Sequence, residues 1–172
     1  MSLTVVNGLP AHILFVHVVI VLVPLSALAL VVCAIWPPVA RRLGVLLPAL
    51  ALVALASVPL TTHAGEWLEA HVDSSSLVRK HAELGDSLLP WALGLFVLSA
   101  AVWWTARSAA AAQRDARRTA ARWTSTPMRI AAVVLSLAVA TGAVIDVYRI
   151  GDSGAKAAWQ DGYSKTAQSQ GR

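Results

Sequence analysis

Charge is scarce in this sequence. Asp, Glu, Lys and Arg make up 13% of its 172 residues, while hydrophobic residues make up 57%, and the mean hydropathy is +0.64. A water-soluble domain carries about 25% charged and about 45–50% apolar residues. There is too little charge here to coat a globule in water, and the composition excludes the soluble, disordered and fibrous classes. Cysteine is almost absent as well: Cys33 stands alone. That excludes an intramolecular disulfide, a CxxC metal or redox pair, and the CxxCH attachment of covalent haem. HExxH, GxSxG and GxGxxG are missing too, and with them zincin, hydrolase and dinucleotide-binding chemistry. No Lys or Arg precedes the first apolar run, which ends in Trp36-Pro37-Pro38. It therefore reads as a spanning helix rather than a cleaved signal peptide.

What the sequence does hold is four apolar runs: Ile13 to Trp36, Leu43 to Leu60, Leu88 to Trp104 and Ile130 to Val147. Each fits the roughly 17–25 residues that cross a bilayer core. The expected fold is an all-α integral membrane protein, a four-transmembrane-helix bundle. It forms one domain over residues 1–160, with helices at about 10–36, 43–71, 76–106 and 128–150, a cytoplasmic Arg-rich loop over 107–129, and a flexible tail over 161–172. The first and third connections hold eight basic residues: Arg41, Arg42, Arg107, Arg114, Arg117, Arg118, Arg122 and Arg129. The other side holds six, with eight of the nine acids. Counting Lys and Arg alone puts both termini outside a plasma membrane and the arginine loops in the cytoplasm. The arginines read as an anchor beside anionic lipids, and no interleaved aromatics point to nucleic acid. The glycines of Gly151-Asp152-Ser153-Gly154 are expected to end the fourth helix.

All five histidines fall on the side of the termini. His12 and His17 open the first helix, His63 and His71 follow the second, and His81 precedes the third. At about 100° per residue, Leu60, His63, Trp67 and His71 share a stripe if the second helix continues past Gly65. Ser74, Ser75 and Ser76 offer caps for an early start of the third helix. Leu77, His81, Leu84 and Leu88 then line one inward face. In the fourth helix Ala138, Gly142, Asp146 and Arg149 share a face whose small residues favour close packing. His17 lies among Val16, Val18 and Val19, where a neutral imidazole needs a partner or a ligand. His12 stands about 140° away from it around the helix.

Two chemistries use such residues. Haem b needs two imidazoles from different helices and cations for its propionates. His17 and His81 are the best pair by facing, with His63 or His12 as substitutes, Asp146 as orienter and Arg149 as propionate partner. A transition metal ion suits imidazoles with a carboxylate; His12, His17, His63, His71, His81 and Glu66 are the candidates. The alternatives are a non-catalytic accessory or scaffold subunit of a membrane complex, and a metal-binding or delivery protein. Four short spans without an inverted repeat argue against a secondary transporter.

Several stretches carry a resemblance: Gly8-Leu-Pro-Ala-His12 with Val16-His17, Pro59-Leu-Thr-Thr62 running into Gly65-Glu66-Trp67-Leu68-Glu69, His81-Ala-Glu-Leu-Gly85, and Arg149-Ile-Gly-Asp-Ser-Gly-Ala155-Lys156. Together they resemble a family of bacterial four-helix membrane domains of unknown function, over nearly the whole chain. Members of the wider family are similar in having paired histidines at the first helix and one before the third, matched by His12, His17 and His81. Many relatives have Pro after the first of these, where this chain has Ile13. Some relatives are joined to Rieske or cytochrome c domains, so the resemblance implies an electron-transfer context, a redox partner protein and haem ahead of a bare metal.

Overall fold

The computed structural model describes residues 5–6, 8–73, 75–115 and 126–159. A two-stranded antiparallel hairpin opens the chain, β1 (Val5–Val6) pairing with β2 (Leu9–Pro10). Gly8 takes the turn at φ 79°, a conformation that costs glycine nothing. Then come α1 (Ala11–Ile35), α2 (Pro37–Leu43), α3 (Leu46–Glu69), α4 (Ser76–Asp86), α5 (Leu88–Asp115) and α6 (Thr126–Trp159). α1, α3, the α4–α5 run and α6 are each long and apolar enough to cross a membrane. The four-helix membrane fold expected from the apolar runs is therefore the fold observed.

Local chemistry sets most boundaries. α2 starts on Pro37, which suits a first helical turn because its missing N–H would be unpaired there anyway. It carries Arg41 and Arg42 in its last turn and stops at Gly44, φ 55°. Ser75 caps α4, its Oγ accepting from the Val78 amide at 3.2 Å. One expectation about the helices needs correction: α6 does not end at Gly151–Gly154 but runs helically through to Trp159. A glycine inside a helix costs about 1 kcal/mol. Here the packing of α4 on α6 offsets that cost, and Lys156 pairs with Asp152 one turn away at 2.6 Å. α5 runs on to Asp115 and α6 begins at Thr126, both inside the span 107–129 expected for the arginine-rich loop. The rest of the arginine-rich loop, residues 116–125, and the tail lie outside the described residues.

α1 packs on α3 and α6, and α5 closes the ring by packing on the same two helices. The core interleaves Val19, Val23, Ala27 and Leu30 with Ala54, Val58, Ala92, Leu95, Ala140 and Ala143. Small residues at these seams let the backbones approach, as membrane helices require where lipid removes the hydrophobic drive. Val21, Leu28, Val53, Val97 and Leu135 point outward and are exposed, as a lipid-facing surface demands. Ser26, Ser99 and Ser136 are fully buried, and among the described residues their hydroxyls find no hydrogen-bond partner. An unsatisfied buried hydroxyl costs free energy that a methyl does not. Ser99→Ala should therefore raise the unfolding temperature or leave it unchanged, while Ser99→Leu should destabilise by about 1–3 kcal/mol through overpacking. Thermal unfolding in detergent checks both; a clear loss on Ser99→Ala would mean that this hydroxyl does have a partner.

Candidate functional site: two seated imidazoles

α1 begins and α6 ends at the same end of the bundle, and there two histidines meet. His12 stands in the first turn of α1 and His81 in the middle of α4. Their ring centroids are 6.1 Å apart, with the planes at 83°. Both rings are partly buried. Each is held by the backbone of a neighbouring helix in the same manner. His12 Nδ1 lies 2.9 Å from the carbonyl oxygen of Thr61 on α3. His81 Nδ1 lies 3.1 Å from the carbonyl of Ile150 on α6 and 3.0 Å from Ser153 Oγ. The Ser153 hydroxyl donates to the same Ile150 carbonyl at 2.8 Å. A carbonyl can only accept, so Nδ1 carries the proton on both rings. Nε2 is then the basic nitrogen of each neutral ring, and among the described residues neither Nε2 has a hydrogen-bond partner.

Glycine makes both seats possible. A Cβ on Gly65 would stand 3.0 Å from His12 Nδ1, and one on Gly154 would stand 2.9 Å from His81 Cε1. In each case the ring lies over a glycine and donates to the carbonyl four residues earlier, Thr61 for Gly65 and Ile150 for Gly154. One helical turn of backbone thus serves as a cradle, twice.

Below His81, Ser87 closes the junction of α4 and α5. Its Oγ lies 3.1 and 2.9 Å from the two carboxylate oxygens of Asp146 and 2.6 Å from the Leu84 carbonyl. Asp146 is 5% exposed, buried in the bundle as its small-residue face predicts. Arg149 does not pair with it. It is exposed and lines a groove between α4 and α6 with Lys80 and Lys156.

The other candidates stand elsewhere. His17 does not face His81: it is exposed on α1, and its Nδ1 donates back to the Ile13 carbonyl at 2.6 Å. The pairing that facing suggested is therefore replaced by His12 with His81. His63 is 77% exposed and stands 3.5 Å from Glu66, itself 73% exposed. His71 stacks on Trp67 at 4.0 Å, with its Nδ1 bonded to the Trp67 carbonyl at 2.7 Å. α3 does continue past Gly65 and brings His63, Trp67 and His71 to one end of the molecule, but on its outer surface. Among the described residues, no group of three or more His, Cys, Asp or Glu side chains gathers closely enough to hold a metal ion. Gly65, Gly154, Ser153 and Ser87 were not singled out in the sequence as site residues. The one signal available for the glycines was their place towards the same end of the bundle as the histidines.

No curated protein and no solved structure matches the chain. A family model described as a predicted membrane protein, DUF2231, matches residues 8–167. That span takes in both imidazoles, both cradles and all four crossings, and the chain belongs to the DUF2231 family of predicted membrane proteins.

Proposed function

We propose that the end of the bundle carrying His12 and His81 binds a redox-active group, haem b or a single transition metal ion, and that the protein takes part in electron transfer at the outer side of a bacterial plasma membrane. The observation that carries this reading is the pair of seats. A metal-binding histidine usually donates its second ring nitrogen to a carbonyl or carboxylate, which fixes the tautomer and makes the ligating nitrogen more basic. His12 and His81 have that arrangement before any ligand arrives. The donor set is two neutral imidazoles from different helices. This fits haem iron, whose equatorial positions are filled by the porphyrin, or a metal ion that completes its shell with other ligands. It does not fit a closed structural zinc site of four protein ligands. When bound, either group would supply one-electron chemistry; the chain's own part is to hold two nitrogens in place and to shield them within the helix ends. A redox protein or a larger membrane complex is the partner this reading calls for.

The test is the full chain extracted in detergent from cells supplied with iron and other transition metals. The expected result is a Soret band with split reduced α and β bands, or about one equivalent of metal per chain. His12→Ala and His81→Ala should each weaken retention at least about tenfold, while His17→Ala should leave it intact. A colourless, metal-free preparation would overturn the reading and leave a scaffold subunit as the function.

A further inference from the structure

Beside the imidazole pair a groove of about 160 Å³ runs along the seam of α4 and α6. Its cations are Lys80, Arg149 and Lys156, and its apolar lining comes from Leu77, Leu84 and Tyr148. We propose that this groove binds the phosphate headgroup of an anionic phospholipid of the phosphatidylglycerol type, from the leaflet that faces this end of the bundle.

Depth is the first argument. The apolar run of α5 begins at Leu88 and that of α6 ends at Val147. Leu84 lies one turn above the first and Tyr148 directly follows the second. At about 1.5 Å per residue this places the groove's lower edge within the roughly 5–7 Å headgroup zone on either side of the hydrocarbon. Tyr148 is 74% exposed there, where an amphipathic ring at headgroup level is expected.

Charge is the second argument. Asp152 engages Lys156 at 2.6 Å. Among the described residues Lys80 and Arg149 have no acidic partner, so the groove carries an excess of two positive charges. Such a site attracts a phosphodiester and repels the ammonium group of a zwitterionic headgroup.

Size is the third argument. Drug-sized pockets measure about 300–1,000 Å³. This groove has room for a headgroup, while the acyl chains lie along the lipid-facing apolar surface below.

The test is thermal unfolding of the full chain in a nonionic detergent, titrated with phosphatidylglycerol, phosphatidylcholine or inorganic phosphate. Phosphatidylglycerol should raise the unfolding temperature saturably, because it binds the folded state, and phosphatidylcholine should not. A basic residue near a membrane surface strengthens anionic-lipid attraction by a factor that corresponds to about fivefold. The half-saturating lipid concentration should therefore rise about fivefold in Lys80→Gln and about 25-fold in Lys80→Gln/Arg149→Gln. Arg79→Gln, one residue away on α4 and off the groove, should respond like the unmodified chain. If the double variant does not survive extraction, Lys80→Gln against Arg79→Gln decides the matter. An equal response to phosphatidylcholine, a full response to inorganic phosphate alone, or equal loss in Arg79→Gln would each overturn the proposal.

Discussion

Replacing Ser87 by alanine is expected to destabilise the protein by about 3 kcal/mol. The reason is what it leaves behind. Asp146 is 5% exposed, and its carboxylate oxygens both lie within hydrogen-bond reach of Ser87 Oγ. No salt bridge reaches it among the described residues, since Arg149 faces the groove. The Ser87 hydroxyl has one proton, shared between the Leu84 carbonyl and the Asp146 carboxylate; alanine at position 87 removes it and keeps the buried acceptor, the costliest way to break a buried polar pair. Removing both partners costs less, because no group is then buried without a partner. Ser87→Ala/Asp146→Leu, whose second change roughly conserves shape, should recover most of the loss. At roughly 2–4 °C per kcal/mol for a chain of this size, the single variant should melt about 6–12 °C below the unmodified chain, and the double variant well above the single one. A double variant less stable than Ser87→Ala would show that the Asp146 carboxylate has another role in stability.

Gly142→Val should cost a comparable amount, about 3 kcal/mol. Trp91 of α5 lies with its ring across Gly142 of α6, so closely that even a methyl at position 142 would overlap the ring. One turn further along the same seam, Gly94 leaves its Cβ position 3.1 Å from a Val139 methyl. The α5–α6 contact therefore depends on glycine on both helices, each facing a large side chain on the other. Valine at 142 forces either the helices apart or the indole out of its place, and overpacking of this kind typically costs 1–3 kcal/mol or somewhat more. The effect should be strongly coupled to position 91. In a Trp91→Ala background the same substitution should cost about 1–2 kcal/mol less, because the overlapping ring is gone. Additive losses in thermal unfolding of the four variants would show that the clash is not the cause.

The crossings were legible because their signal is length and apolarity, which no packing detail can reverse. The start of α4 was legible from its serines, and the inward turn of Asp146 from Ala138 and Gly142, about two turns and one turn before it. The histidine pair was legible only in part. A helical wheel sets the angle between His12 and His17 but not the rotation of α1 in the bundle. α1 is apolar on every side, so nothing in its own residues distinguished the lipid face from the core. The structure turns His17 outward and His12 inward because Val19, Val23, Ala27 and Leu30 form the packed stripe. The cradles were illegible for a different reason. A carbonyl has no sequence signature, and Gly65 and Gly154 read as ordinary helix breakers until the rings are placed over them. The passage of α6 through Gly151 and Gly154 was hidden likewise, since the α4 packing that offsets their cost is a tertiary contact.

The twin cradles also constrain how this molecule can move. His12 keys α1 to one turn of α3, and His81 keys α4 to one turn of α6. Each key fits only where a carbonyl and a glycine stand four residues apart, so a one-turn shift of about 5.4 Å would carry a ring from its glycine onto a side chain. Piston-like sliding is thereby the expensive motion in this bundle. A signal passing along the helices between the two membrane faces would have to travel as tilt or rotation, with the rim of the bundle moving as one piece.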